Sequence, residues 1–415
     1  MAKHPKAVLS PLAPERFPDL APVAGVRLAA GHCGIRRTGT SLDLMLAAFD
    51  QGTTVAGVFT RSSTAGAPVR WCRKALGQGR ARALVVNSGN ANVYTGKAGD
   101  QAVKATAGAA AKLLGTTANR VFIASTGVIG QPLPVEKVVA ELPKLHKALD
   151  ARAWLPAAEA IMTTDTFPKG ATRQVEIDGH SVSLSGMAKG SGMIAPDMAT
   201  MLAYVFTDAA IGHDALQAML TSATDRSFNC ITVDSDTSTS DTLQLFATGQ
   251  AGHKRIDDPR DRRLKDFREA LDDICLDLAH QVVRDGEGAQ KFIRITVSGA
   301  RSARSARRIA LAIANSPLVK TAIAGGDANW GRIVMAVGKS GEAIAETSLT
   351  IHVGGHPVAI DGAPPANYDE TPVARHMAGR TIEMTVDVGL GRGEATVWTC
   401  DLTHGYIEIN ADYRT

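Results

Sequence analysis

The sequence lacks what a disulfide framework or a zinc knuckle requires. Its five cysteines, Cys33, Cys72, Cys230, Cys275 and Cys400, are odd in number, widely scattered and include no C-x-x-C pair. A dominant charge is also missing: 45 Lys plus Arg against 41 Asp plus Glu leaves +4. That surplus is too small to make duplex nucleic acid the expected partner. Every apolar stretch is interrupted by Gly, Pro or a charge well before the ~20 residues of a bilayer span. Residues 1–20 carry Lys3 and Lys6 but four prolines, and no apolar run long enough for a secretion signal. The expectation is a cytoplasmic protein with neither a membrane nor a nucleic-acid partner.

Metal-ligand spacing is absent as well. The eleven histidines are dispersed, and the closest pair, His352 and His356, flanks Gly354-Gly355 rather than sharing a helix face. Gly338-Lys339-Ser340 resembles the end of a phosphate-binding loop, but the first glycine of that motif would fall at Ile333. Asp234-Ser235-Asp236-Thr237-Ser238 opens like a calcium loop, yet Thr239 stands where the turn glycine belongs, so Asx turns are expected there. Arg301, Arg304, Arg307 and Arg308 read as a solvated helix face. No metal and no organic cofactor is expected.

What is present is a large globular chain. Hydrophobic residues are 45% and charged residues 21% of 415 residues, which excludes disorder and predicts two or more lobes or one large layered fold. Helices are predicted over residues 98–114, 213–226 and 261–284; in the last, Leu264, Phe267, Leu271, Ile274 and Leu278 form one stripe. Strands are predicted over 83–86, 121–124, 201–206, 293–297, 333–337, 381–388 and 394–399. Val175 and Ile177, then Asp178-Gly179, then Val182 and Leu184 read as a hairpin. Residues 406–409 alternate like a strand. Strands outnumber helices, and 201–206 is apolar throughout, so a layered α/β or α+β fold with helices outside paired sheets is expected. Neither a low-complexity linker nor an internal repeat marks off a tethered module.

The chemistry concentrates after Lys189, where the chain reads Lys-Gly-Ser-Gly-Met-Ile-Ala-Pro-Asp-Met-Ala-Thr-Met-Leu-Ala-Tyr-Val-Phe. This is a Gly- and Pro-containing loop running into a buried strand led by Thr200. A threonine hydroxyl needs a base to become a nucleophile. Cutting the Ala199-Thr200 bond would free an α-amine of reference pKa ~7.7–8.0, partly neutral near physiological pH, so that nucleophile and base become one residue. Glycine freedom upstream and a hydroxyl over its own preceding carbonyl suit an N-to-O acyl shift. By pattern alone a structural threonine is the blander reading of Thr200. Lys189 likewise reads as a surface lysine, Glu287 as a cap at Gly286 and Gly288, and Thr163 as a helix-end hydroxyl.

Six motifs in one order add to that reading. They are residues 189–202, Ser125-Thr126-Gly127-Val128-Ile129-Gly130, Met162-Thr163-Thr164-Asp165-Thr166, Arg284-Asp285-Gly286-Glu287-Gly288-Ala289, Asn329-Trp330-Gly331-Arg332 and Asn410-Ala411-Asp412-Tyr413-Arg414-Thr415. Together, from near Val26 to the last residue, the chain resembles the glutamate N-acetyltransferase family, also called the ornithine acetyltransferase family.

The resemblance implies an α-β-β-α sandwich similar to N-terminal-nucleophile hydrolases but differently connected. It also implies self-cleavage between Ala199 and Thr200 into an α chain, 1–199, and a β chain, 200–415, associated as a dimer of αβ pairs. Thr200 then matches the nucleophile, Thr126 and Gly127 the oxyanion hole, and Thr163, Lys189, Thr200, Glu287, Asn410 and Thr415 the substrate contacts. The implied reaction is ping-pong transfer of acetyl from N-acetylornithine to glutamate in arginine biosynthesis, and some members of the family also use acetyl-CoA. The sequence departs from the family's pattern at Cys230, Ser235 and Ser240, which bears on substrate preference around 234–241. Two rivals compete with this reading: a related self-processed aminopeptidase or amidohydrolase, and a non-catalytic amino-acid-binding protein that is never cut.

Overall fold

The computed structural model describes residues 8–36, 41–192 and 201–411. Fourteen strands and eleven α-helices, numbered in chain order, are described. One sheet runs β1 (Val26–Gly31), β2 (Leu44–Phe49), β4 (Ala83–Asn90) and β5 (Val121–Val128). A second runs β3 (Thr54–Phe59), β9 (Thr242–Ala247), β8 (Leu202–Thr207), β7 (His180–Lys189) and β6 (Lys169–Ile177). All six residues of β2, of β8 and of β9 are buried, as an apolar strand covered on both faces must be.

The cover on one side is the facing sheet. Phe49 stacks on Phe246 at 4.5 Å, and Phe206 stacks on the same ring at 5.6 Å. On the outer side of the first sheet lie α1 (Ala67–Leu76), α2 (Gly96–Leu113) and α3 (Val135–Lys147), whose apolar faces share a core with β2, β4 and β5. On the outer side of the second lie α5 (His213–Arg226) and α6 (Lys265–Arg284). The layers are therefore α-β-β-α, as expected. The short α4 (Trp154–Ala160) closes one side, with Trp154 edge-on to Phe206 at 5.6 Å.

A third sheet has its own core. Its order is β12 (His356–Ala359), β11 (Thr350–Val353), β13 (Thr381–Asp387), β10 (Phe292–Ala300) and β14 (Gly393–Cys400). β13 alternates exposed and buried residues without a break, and its buried face packs with α7 (Ala303–Ala314), α8 (Pro317–Gly325), α9 (Trp330–Gly338) and α10 (Thr371–Met377). Composition gives no sign of this unit, because no linker separates it: Phe292 and Cys400, at the sandwich-proximal ends of β10 and β14, are part of the sandwich core.

Local rules explain most of these elements. The hairpin between β6 and β7 turns on Asp178 (φ 51°) and Gly179 (φ 77°), the two positive φ values of a tight I′ turn. Asp236 donates its amide to the Asp234 carboxylate at 3.1 Å, as an Asx turn does. Residues 261–284 begin as a 3-10 turn, Arg262–Leu264, capped by Asp261, and continue as α6.

Two expected strands are helices. In α9, Ile333, Ala336 and Val337 are buried while Met335 is 44% exposed. That is i, i+3, i+4 spacing, which overrides the β preference of Ile-Val. The alternation at 406–409 lies in α11 (His404–Ala411), where Asn410 reaches back to the Tyr406 carbonyl at 3.0 Å. Ile407 and Ile409 are both exposed, so no buried face enforced a period of two.

Phe246, fully buried and in contact with three other rings, is the keystone between the facing sheets. Phe246→Ala is expected to cost about 3–5 kcal/mol. The denaturant midpoint should drop with an unchanged slope; a loss under about 1 kcal/mol would show that the sheets do not depend on this packing.

Candidate functional site

Parallel pairing of β4 with β5 brings Ser88 opposite Thr126 and Gly89 opposite Gly127. Gly127 has φ 129°, and a Cβ there would meet the Gly89 carbonyl carbon at 2.4 Å and the Asn90 nitrogen at 2.6 Å. Only glycine fits, so the backbone at 127 is held in one orientation. Asn90 and Asn87 support the same strand ends: Asn87 donates to the Asn90 carbonyl at 2.9 Å and accepts the Ser125 hydroxyl at 2.6 Å.

A second group converges from the other sheet. Lys189 ends β7, buried, and donates to the Thr163 hydroxyl at 3.2 Å. Two residues on, the Ser191 carbonyl accepts the Glu287 amide at 2.8 Å, and the Ser191 hydroxyl lies 2.5 Å from that of Thr164. Glu287, just past α6, accepts the Asn410 side-chain amide at 2.7 Å. Thr163, Lys189, Glu287 and Asn410 are thus brought together. Arg36 connects this group to the Thr126–Gly127 edge: its guanidinium donates to the Thr163 carbonyl at 3.0 Å, and its own backbone lies against Gly89. Ala199, Thr200 and Thr415 lie outside the described residues. Gly192 and Met201 bound the segment that holds the first two, and a Cβ on Gly192 would meet the Glu287 carboxylate at 2.6 Å.

Beneath the group is a charge cluster that sequence reasoning missed. Lys169, fully buried, donates to Asp165 at 2.6 Å and to Asp285 at 2.5 Å. Asp165 also accepts the Gly190 amide at 2.6 Å and the Thr163 amide at 2.9 Å. Asp285 accepts the Thr166 amide at 2.9 Å. These carboxylates therefore hold the residues flanking Lys189 and Thr163. Asp165 and Asp285 lie inside two of the motifs quoted above, but nothing in the sequence pairs them with one another or with Lys169. Arg36 carried no signal.

Electrostatics follow from burial and pairing. Burial by itself raises the Asp165 carboxyl, but the ammonium groups of Lys169 and Lys189 overcome it and hold the group at about 2. For Lys169 burial works against the charge, and the two carboxylates reverse it, so its ammonium is held above the ordinary range. Lys189 is pushed down, chiefly by burial and also by Lys169, against the pull of Asp165, Asp241 and Glu287. Glu287 is pushed up by burial, against the amide of Asn410 and the hydroxyl of Thr164. A buried ammonium and a half-buried carboxylate, linked through Thr163, Thr164 and Ser191, suit a zwitterionic ligand.

Comparison with known proteins identifies the family. The model of the ArgJ family matches residues 27–415. The chain belongs to the ArgJ family. The arginine biosynthesis bifunctional protein ArgJ of Gluconobacter oxydans (strain 621H) is 58% identical over 407 residues, 98% of this chain and 96% of that one. The same protein of Rhizobium meliloti (strain 1021) is 55% identical over 410 residues, 98% and 99% of the two chains. Among solved structures, ornithine acetyltransferase from Mycobacterium tuberculosis, complexed with ornithine, is 35% identical over 43% of this chain and 94% of that one, with a TM-score of 0.37. ArgJ membership makes the chain an enzyme, an acyltransferase of arginine biosynthesis. No group of metal-ligating side chains and no helix long and apolar enough to cross a membrane is found among the described residues. All five cysteines are free.

Lys169→Met would leave Asp165 and Asp285 facing one another without their cation, at a cost of about 3–5 kcal/mol near neutral pH. The contribution of Asp165 to the pH slope should then change sign. In the parent, Asp165 is depressed, so its stabilisation is complete above the ordinary carboxylate range and is lost as pH falls toward 2. In the variant one carboxyl is raised, binds its proton in the folded state, and loses stability as pH rises. Melting temperature across pH 2–8 reads this out; parallel curves for the two proteins would contradict it.

Proposed function

We propose that this ArgJ-family chain cuts itself between Ala199 and Thr200, and that Thr200 then carries an acetyl group from N-acetylornithine to glutamate. In the cleavage, the Thr200 hydroxyl oxygen bonds the Ala199 carbonyl carbon, the C–N bond breaks, and the hydroxyl proton passes to the nitrogen. Water then opens the ester, leaving an Ala199 carboxylate and a Thr200 with both hydroxyl and free amine. The amine serves as the base for its own hydroxyl.

The carrying observation is the convergence of Thr163, Lys189, Glu287 and Asn410 at the Gly192 end of the segment that contains Thr200. In the acyl-transfer cycle, the Thr126 hydroxyl and the Gly127 amide receive the charge that develops on the acetyl oxygen. Lys189 takes the α-carboxylate of the amino-acid substrate, and Glu287 takes the side-chain ammonium of the ornithine part. Departing ornithine receives the proton held by the α-amine, and glutamate attacks the acetyl-Thr200 ester in the second half-reaction. The acyl ester conserves the bond, so neither metal nor organic cofactor enters this cycle.

Acetyl-CoA is the second donor in this reading; the relatives' name, bifunctional, supports a second activity. Association of the two cleaved chains, as a dimer of αβ pairs in the cytoplasm, completes the reading. The α-β-β-α interior supports the association within each pair, because β7 before the cut and β8 after it are neighbours in one sheet.

A denaturing gel with N-terminal sequencing tests the cut. The parent should give pieces of 199 and, since 415 − 199 = 216, 216 residues, the second beginning at Thr200. Thr200→Ala should give one uncut band and no exchange; an active uncut parent contradicts the proposal. Glu287→Gln should weaken N-acetylornithine binding by about tenfold or more, because a charge-assisted bond becomes a neutral one. Unchanged affinity would remove Glu287 from its role.

A further inference from the structure

α11 is a short helix that no apolar face holds in place. None of its eight residues is fully buried, and Ile407 and Ile409 are exposed. An isolated helix of that length is unstable in water, so its attachments decide where it sits. The chain leading into it is fastened beside Glu287. Asp401 accepts the Gln290 and Lys291 amides at 2.8 and 2.9 Å, and the Thr403 hydroxyl donates to the Gly288 carbonyl at 2.7 Å. Gly288 has φ 74°, and a Cβ there would meet the Tyr406 nitrogen at 2.5 Å. The first turn of α11 therefore lies directly on the backbone that follows Glu287, as only glycine permits.

Beyond that turn one side chain reaches across to a second loop. Tyr406 is half-buried, and its hydroxyl donates to Asp234 Oδ2 at 3.2 Å. Oδ1 of the same carboxylate accepts the Asp236 amide at 3.1 Å and closes the Asx turn. One carboxylate thus shapes the loop that begins at Asp234 and ties α11 to it. Burial, and after it the carboxylates of Asp234, Glu287 and Asp236, push the phenol up, so the hydroxyl keeps its proton and remains the donor. On its backbone side, Tyr406 meets the substrate group. The Asn410 side-chain amide donates to the Tyr406 carbonyl at 3.0 Å and to Glu287 Oε2 at 2.7 Å.

We propose that Tyr406 is a positioning residue for substrate binding: its hydroxyl anchors α11 to Asp234, and α11 so anchored sets the Asn410 amide on Glu287. The proposal rests on the reading of Glu287 as the partner of the ornithine side-chain ammonium. Tyr406 itself touches no substrate; it acts through Asn410, by fixing the direction in which the Glu287 carboxylate points.

The test is Tyr406→Phe in the full chain, which removes one oxygen and keeps the ring. Steady-state acetyl transfer and hydrogen exchange of the peptide spanning 404–411 read it out. Phe should raise KM for N-acetylornithine at least about fivefold with kcat within about twofold, the mark of binding lost equally from ground and transition states. It should also speed hydrogen exchange in α11 at least about tenfold, with α6 and β7 unchanged. Ile407→Ser, on the exposed face of the same helix, should leave all of these at parental values. Parental KM in the Phe variant would overturn the proposal. So would a raised KM with parental hydrogen exchange in α11, because the hydroxyl would then be meeting substrate rather than holding the helix. An Ile407→Ser variant as impaired as Phe would overturn it as well. Hydrogen exchange needs no substrate, which separates the two readings: a parent that transfers no acetyl from N-acetylornithine, or a Glu287→Gln variant of parental affinity, is a failure of the Glu287 reading, while an α11 loosened by Phe still establishes the anchor.

Discussion

The arrangement of the site depends on one buried ammonium. Lys169 neutralises Asp165 and Asp285 in a place water does not reach, and those two carboxylates in turn hold the amides of Thr163, Gly190 and Thr166. A fully buried lysine with two carboxylates is an expensive element, since removing charges from water costs several kcal/mol per ion before pairing returns it. Its use here is geometric. Each carboxylate ties a loop to a strand end or a helix end, so that three separately folded segments, the loop after α4, the end of β7 and the end of α6, meet with their functional side chains facing one another.

The sandwich explains why such a cluster can be dry. Two apolar sheets packed through Phe49, Phe206 and Phe246 fix the positions of β5, β7 and β8 relative to each other. Strand ends from both sheets then open toward the same region. Thr126 and Gly127 come from the first sheet, Lys189 and Met201 from the second. In the proposed reading, a nucleophile between β7 and β8 would have an oxyanion edge on one side and charged substrate groups on the other, the division of labour that acyl transfer needs.

Much of this was legible in the sequence, and the parts that were not share a cause. The hairpin at Asp178-Gly179, helix α5 and the doubly buried β8 are written in local spacing and turn chemistry. Ile333–Val337 misled because β-branched residues at helical spacing satisfy both periods over five residues, and burial of Ile333, Ala336 and Val337 decides between them. The third sheet left no trace because its boundary is a shared core at Phe292 and Cys400, not a linker. Thr163, Lys189, Glu287 and Asn410 were found through motif resemblance, and the structure brings them together. Lys169, Arg36 and Tyr406 act by partnering residues 116, 127 and 172 positions away, and no pattern along a chain encodes such pairs.

The most direct measurement is the intact mass of the purified protein before and after mixing with N-acetylornithine in the absence of glutamate. The account predicts two polypeptides, of which the one beginning at Thr200 gains the mass of a single acetyl group and loses it when glutamate is added, with N-acetylglutamate formed. A single 415-residue polypeptide that catalyses the exchange, or cleaved chains that turn over without either one ever carrying the acetyl mass, would contradict it.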